Sequence, residues 1–237
     1  MFAAGSRPCE SDVERALAAE ATKAPSGVIT HRPGAAEGWV EILASGLAFD
    51  LTGLSPGKAA QVPCPSHHLG FAERPDRGTL EAVSLVPGHH LAGAEAMVPV
   101  VRVMAGLVAS LSLGLRAQAV AWHPARTCME PAFFARIVRD WLAGGPFPAL
   151  GLTAVEPNAV GGVGSSGLSF FTGQELMLEG KPGESRVDAV KLAVRLIDFL
   201  VRHGRLEQRM EVSGPDGEML VAEPSADAKR VMVWRNT

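Results

Sequence analysis

Gly167–Gly180, GLSFFTGQELMLEG, and the run Val187–Gly204 behind it decide the fold class. Leu168–Leu178 reads as a strand. In Val187–His203 the residues Val190, Ala193, Ile197, Leu200 and Val201 fall on one helical face, and Lys191, Arg195 and Asp198 on the other. Gly204 supplies the C-terminal cap. A strand followed by an amphipathic helix calls for a layered arrangement, with the helix laid on a sheet.

The same alternation continues outward. Ala96–Leu113 reads as a helix, apolar on most sides and hence central, with Pro99 tolerable only in its first turn. Gln118–Trp122 reads as a short strand, and Glu130–Ala143 as a helix that Pro131 starts and Gly144-Gly145-Pro146 stops. Ala149–Val155 is strand-like, and Glu156–Ser166 is a glycine-rich loop. The C-terminal end holds strands only: Arg209–Val212, a turn at Gly214-Pro215-Asp216-Gly217, Glu218–Val221 and Val231–Trp234. Toward the N-terminus, Ser11-Asp12-Val13-Glu14 has capping-box spacing ahead of a helix over Arg15–Lys23, and Trp39–Leu51 reads as two strands turned at Ser45-Gly46. The expectation is an α+β fold: a mixed, mainly antiparallel sheet with about three helices packed on it. A ferredoxin-like core with extra strands is one concrete version. The proline- and glycine-rich stretch Ser55–His68 divides an N-terminal extension, residues 1–66, carrying a short helix and a strand pair, from a main domain at 67–237.

Bulk properties bound the function. Apolar residues make up 47% and charged residues 20%, which suits a soluble globular chain. A net charge of −3 leaves no basic footprint, so nucleic acid is not an expected partner. The most hydrophobic window, Met97–Leu113, carries Arg102 near its middle and falls short of the roughly 20 apolar residues a membrane span needs, so no membrane role is expected. Cys9, Cys64 and Cys128 are odd in number and form no C-x-x-C, which fits a reducing, cytoplasmic setting.

From about His89 to Trp234 the chain resembles the bacterial domains of unknown function numbered 4261. The likeness rests on His89-His90-Leu91 before the long helix, AVAWHP around Trp122, GLSFFTGQEL with Phe171 and Glu175, a helix ending in His203-Gly204, and PDGE near the C-terminus. Thr172 stands where the family pattern has a glycine. The resemblance implies a bacterial, cytoplasmic α+β domain and carries over no catalytic residue; a binding role is conceivable by analogy with some relatives.

Four constellations invite chemistry. His67-His68 and His89-His90 offer metal ligands, but adjacent strand residues point to opposite faces and a site needs about three or four converging groups, so no metal is expected. His123, Cys128 and Glu130 follow the Trp122 strand; Cys128 is the nucleophile candidate, with His123 as base and Arg126 or the following helix dipole to lower the thiol pKa. The run Val160–Gly167, with Gly162 and Gly164, has the look of a phosphate cradle, yet no Walker lysine follows and a strand rather than a helix comes next. Glu175 and Glu179, on one strand face, would stand roughly 13 Å apart, too far to share a proton. With no constellation complete, the leading expectation is a non-enzymatic protein-binding module without a cofactor, its binding candidates being Trp122, Glu175, Gly162 and Gly164; a homo-oligomer built through a sheet edge is a further option. The alternative is a small hydrolase or transferase with a site near Trp122–Glu130 and the Gly161–Gly167 loop.

Overall fold

The structure, a computed structural model, describes residues 1–19, 25–158, 161–214 and 217–235. It is α+β, with strands in four mostly antiparallel sheets. Two compact units divide the chain: Met1–Ala121 with Cys128–Gly145, and Trp122–Thr127 with Pro146–Thr237. The 66/67 boundary expected from sequence therefore lies inside the first unit.

The first unit runs β1 (Phe2–Ala3), α1 (Glu10–Ala19), β2 (Gly27–His31), β3 (Trp39–Ala44), β4 (Leu47–Thr52), β5 (His67–Leu69), β6 (Leu80–Glu81), β7 (Ser84–Pro87), α2 (Val98–Gly114), β8 (Val120–Trp122), β9 (Thr127–Met129) and α3 (Pro131–Leu142). The tip of the β8–β9 hairpin counts with the second unit. Residues 1–66 are woven into this unit, because β1 pairs with β6 and β4 with β7. A proline-rich stretch breaks secondary structure but does not stop strands on either side of it from pairing.

The main sheet here has the order β2-β3-β4-β7. Val40, Ile42 and Ala44 alternate inward on β3, with Phe49 and Leu51 opposite on β4. Gly27 marks the contact with the helices: a Cβ there would stand 2.9 Å from Ile42, 3.0 Å from Leu107 and 3.3 Å from Leu17. Arg102, the charge inside the apolar α2, is explained by α3. Its guanidinium donates to the carbonyls of Trp141 and Leu142 (3.2 and 3.1 Å) and lies 4.8 Å over the Trp141 ring, so a cation closes the C-terminal end of a helix. Helix α1 begins earlier than the Ser11 box suggests. Cys9 is the residue before the helix, and Asp12 reaches back to accept its backbone N–H at 3.0 Å and its thiol at 3.1 Å. Those bonds hold the Asp12 carboxyl below its usual pKa. The far end of the expected helix, residues 20–24, lies outside the described residues.

The second unit runs α4 (Ala149–Leu152), β10 (Ala154–Pro157), β11 (Val163–Ser166), α5 (Ser169–Thr172), β12 (Glu175–Leu178), α6 (Arg186–His203), β13 (Met210–Ser213), β14 (Met219–Pro224) and β15 (Arg230–Arg235). One six-stranded sheet has the order β10-β11-β12-β15-β14-β13. Among the described residues of this sheet, only the β12–β15 pair is parallel. This is not the βαββαβ order of a ferredoxin-like core. Two apolar runs expected as strands are each part helix. Ala149–Leu152 is a turn of helix, back-bonded by Thr153 Oγ1 to the Ala149 carbonyl, and Ser169–Thr172 is another, stopped by Gly173 at φ +75°. Short apolar runs carry no period long enough to separate the two structures.

The amphipathic helix forms where expected, but its buried face is only partly the expected one: Ala193, Ile197 and Leu200 are buried, whereas Val190 and Val201 are half-buried. Ala189, Leu192, Ala193, Leu196, Ile197 and Leu200 are its buried face, and Ser185 caps its N-terminus by accepting from Asp188 N at 3.1 Å. Arg235, at the end of β15, is nearly buried and pairs with both Glu184 and Glu218. The turn residues Pro215 and Asp216 lie outside the described residues, but the ladder on either side, from Met210↔Ala222 to Ser213↔Met219, places β13 and β14 as the expected hairpin.

Candidate functional site

Glu175, a binding candidate from sequence, opens β12 and turns its carboxylate back on the segment before it. It accepts five hydrogen bonds: from Ser165 Oγ (2.5 Å), the backbone N–H groups of Gly167 (2.9 Å), Leu168 (3.1 Å) and Ser169 (3.1 Å), and Ser169 Oγ (2.6 Å). Three successive backbone donors form an anion nest. The chain fills that nest with its own side chain. The anion cradle sought in the glycine run therefore exists just beyond it, and its occupant is internal. Glu179 lies past the end of β12, so the strand face it was expected to share with Glu175 does not reach it.

Gly162 and Gly164 serve packing. Gly164 lies within β11, and a Cβ on it would meet Met177 Sδ at 3.0 Å. A Cβ on Gly162 would come within 2.0 Å of the Leu178 carbonyl and 2.6 Å of Gly180 N, so backbone runs against backbone. Asn158 accepts the Gly162 N–H at 2.8 Å. These glycines let β11 and β12 close up. Val160, the first residue of the glycine run, lies outside the described residues.

Trp122 sits at the hairpin tip. It meets Phe170 edge-on (centroids 5.5 Å apart) and stacks on Phe171 (6.2 Å), while Phe171 also meets Phe147 (5.0 Å). Its indole nitrogen is buried without a hydrogen-bond partner among the described residues. Gly167, at φ +88°, lets Ala125 approach: a Cβ there would lie 2.8 Å from Ala125 Cα. Thr127 Oγ1 donates to the Gly151 carbonyl at 2.7 Å. The structure thus brings Trp122, Gly167 and Glu175 into one neighbourhood, and leaves Gly162 and Gly164 to the β11–β12 contact.

The nucleophile candidates have unlike surroundings. Cys128 is 3% exposed, in β9, and burial pushes its thiol pKa up, which is the wrong direction for a thiolate at neutral pH. His123 is exposed at the start of the tip, its carbonyl accepting from Arg126 N. Glu130 caps α3 by accepting the Phe133 N–H at 2.6 Å. His67 and His68 lie on β5, and His89 and His90 in a 3-10 turn. Among the described residues no three His, Cys, Asp or Glu gather as a metal would need, and no helix is long and apolar enough to cross a membrane.

Two features escaped the sequence reading. In the first unit a cavity of about 280 Å³ is lined by Cys9, Glu14, Arg32, Trp39, Leu54 and Pro56. Arg32, in the loop after β2, is pulled there by Glu10 and Glu14 (2.7 and 2.6 Å), carboxylates one helical turn apart on α1. Both its charge partners are already internal. The second feature is β13, an edge of the six-stranded sheet. Three other edge strands have their ladders interrupted: β10 ends in Pro157, β7 ends in Pro87, and the β2 ladder shifts register between Ile29 and His31. Strand β13, Met-Glu-Val-Ser, has neither proline nor bulge, and Glu211 and Ser213 are exposed. No periodicity in the sequence says which strand of a sheet is outermost.

Comparison with family models, with curated proteins and with solved structures finds no match to this chain.

Proposed function

We propose that the chain is a non-enzymatic protein-binding module that docks an extended strand of another chain on β13. The observation that carries this reading is that β13, outermost in the six-stranded sheet, pairs among the described residues with β14 alone and carries neither proline nor bulge. Strand addition takes its affinity from main-chain hydrogen bonds and its selectivity from alternate side chains. The surroundings of the reactive groups support the same reading: Cys128 is buried with a raised thiol pKa, and Glu175 has its lone pairs filled by five internal donors. We further propose that His89–Trp234 belongs with the bacterial domains numbered 4261 and that the protein works in the cytoplasm. The residues quoted for the resemblance and the three unbridged cysteines support this.

The test is affinity capture from the source cell, comparing the native chain with Glu211→Pro. Proline is tolerated on an edge strand where the lost N–H faces outward, so the fold should survive while the docking donor is removed. A partner captured by the native chain and lost with Glu211→Pro supports the proposal. Equal recovery by both chains, or no specific partner, a second copy of the chain included, counts against it.

A further inference from the structure

We infer that the strand docked on β13 is β13 of a second copy, paired antiparallel about a two-fold axis through Met210. The inference rests on the strand-docking reading above and names the occupant.

Gly214 N donates to the Glu218 carbonyl at 2.8 Å, so Gly214 and Glu218 are a hydrogen-bonded pair of the hairpin. In an antiparallel ladder such pairs alternate with non-bonded ones. Following the register upward, Val212↔Leu220 and Met210↔Ala222 are bonded pairs, and Glu211↔Val221 and Ser213↔Met219 are not. The other side of β14 agrees. Ser225 N donates to the Arg230 carbonyl at 2.9 Å, which makes Val221↔Trp234 and Glu223↔Met232 the bonded pairs toward β15. Glu211 and Ser213 therefore aim their N–H and C=O groups away from the sheet. Carried one residue further, the alternation adds Arg209.

Two copies of this edge can bond only where outward residues face outward residues. Setting Glu211 opposite its own copy puts two carboxylates together, which like charges disfavour, and setting it opposite Ser213 of the other copy pairs no opposite charges. Setting Met210 opposite Met210 places Arg209 across from the partner copy's Glu211, and Glu211 across from the partner copy's Arg209. Glu211 bonds outward within β13, and Arg209, the residue just before the strand, would continue that alternation on pairing, so each facing pair can exchange two backbone hydrogen bonds and bring opposite charges together. Arg209 and Glu211 are exposed, and neither forms an ion pair or side-chain hydrogen bond with another described residue. The charges are thus held available where the symmetric register needs them. Such an interface is isologous. Its small contact fits a concentration-dependent dimer rather than a permanent one.

Sedimentation equilibrium of the purified chain tests this with the single variants Arg209→Glu and Glu211→Arg and with the double exchange. The native chain should dimerise. Each single substitution should weaken the dimer by about 10-fold or more, since both copies then face like charges, and the double exchange should restore it. A dimer indifferent to both single changes would overturn the inference, as would a native chain still monomeric at about 1 mM. If that monomer nevertheless captures a protein that Glu211→Pro releases, self-pairing fails and the strand-docking reading stands. If neither dimer nor Glu211-dependent partner is found, both fail.

Discussion

Glu175 shows how a residue can look functional in sequence and be consumed by structure. Its carboxylate closes three backbone N–H groups and two hydroxyls around one short loop. Hydrogen bonds to a charged acceptor contribute more than neutral ones, and removing the acceptor strands its donors. Glu175→Ala should therefore cost about 2–4 kcal/mol of unfolding free energy, read by urea denaturation, whereas Glu175→Gln, which keeps one acceptor oxygen, should lose less. Equal stability of the alanine variant and the native chain would show that the nest needs no anion. Sequence singled out this glutamate but not its donors, because a nest is a property of backbone dihedrals. The cysteines permit a second test. Cys64 is exposed and Cys128 buried, with burial raising the Cys128 thiol pKa. Thiolate is the reactive form, so near pH 8 iodoacetamide should modify Cys64 first and Cys128 roughly 10-fold or more slowly, reaching it at full rate only after unfolding. A fast Cys128, located by peptide mapping, would revive the nucleophile reading.

Among the elements, the long helices were legible and the short ones were not. Helix α6 announces itself by apolar spacing, a Ser185 cap and Gly204, and Pro99 and Pro131 fall in the first turns of α2 and α3 as their chemistry demands. Strand β11 was hidden, because Gly164 within it and Gly161 and Gly162 just before it imitate a loop. What Gly162 does there depends on a neighbour found only in space, the backbone at Leu178 and Gly180. Gly162→Ala should thus force β11 and β12 apart and cost about 2 kcal/mol or more, with the thermal midpoint lowered to match. An alanine variant melting with the native chain would mean that this contact is looser than described.

For the whole molecule, sequence yielded the α+β class but not the division into units, because β1 with β6 and β4 with β7 pair across the apparent boundary. The order of strands in the second sheet was equally hidden, and with it the position of β13 at the edge. Residue-resolved amide hydrogen exchange across β13 in dilute, monomeric protein reads out that edge position residue by residue. Met210 and Val212 donate toward β14, while Glu211 and Ser213 donate outward, so exchange should alternate: slow, fast, slow, fast. Glu211 and Ser213 amides as protected as that of Val212 would mean that the edge is already covered, and the account of β13 as a docking strand would fall.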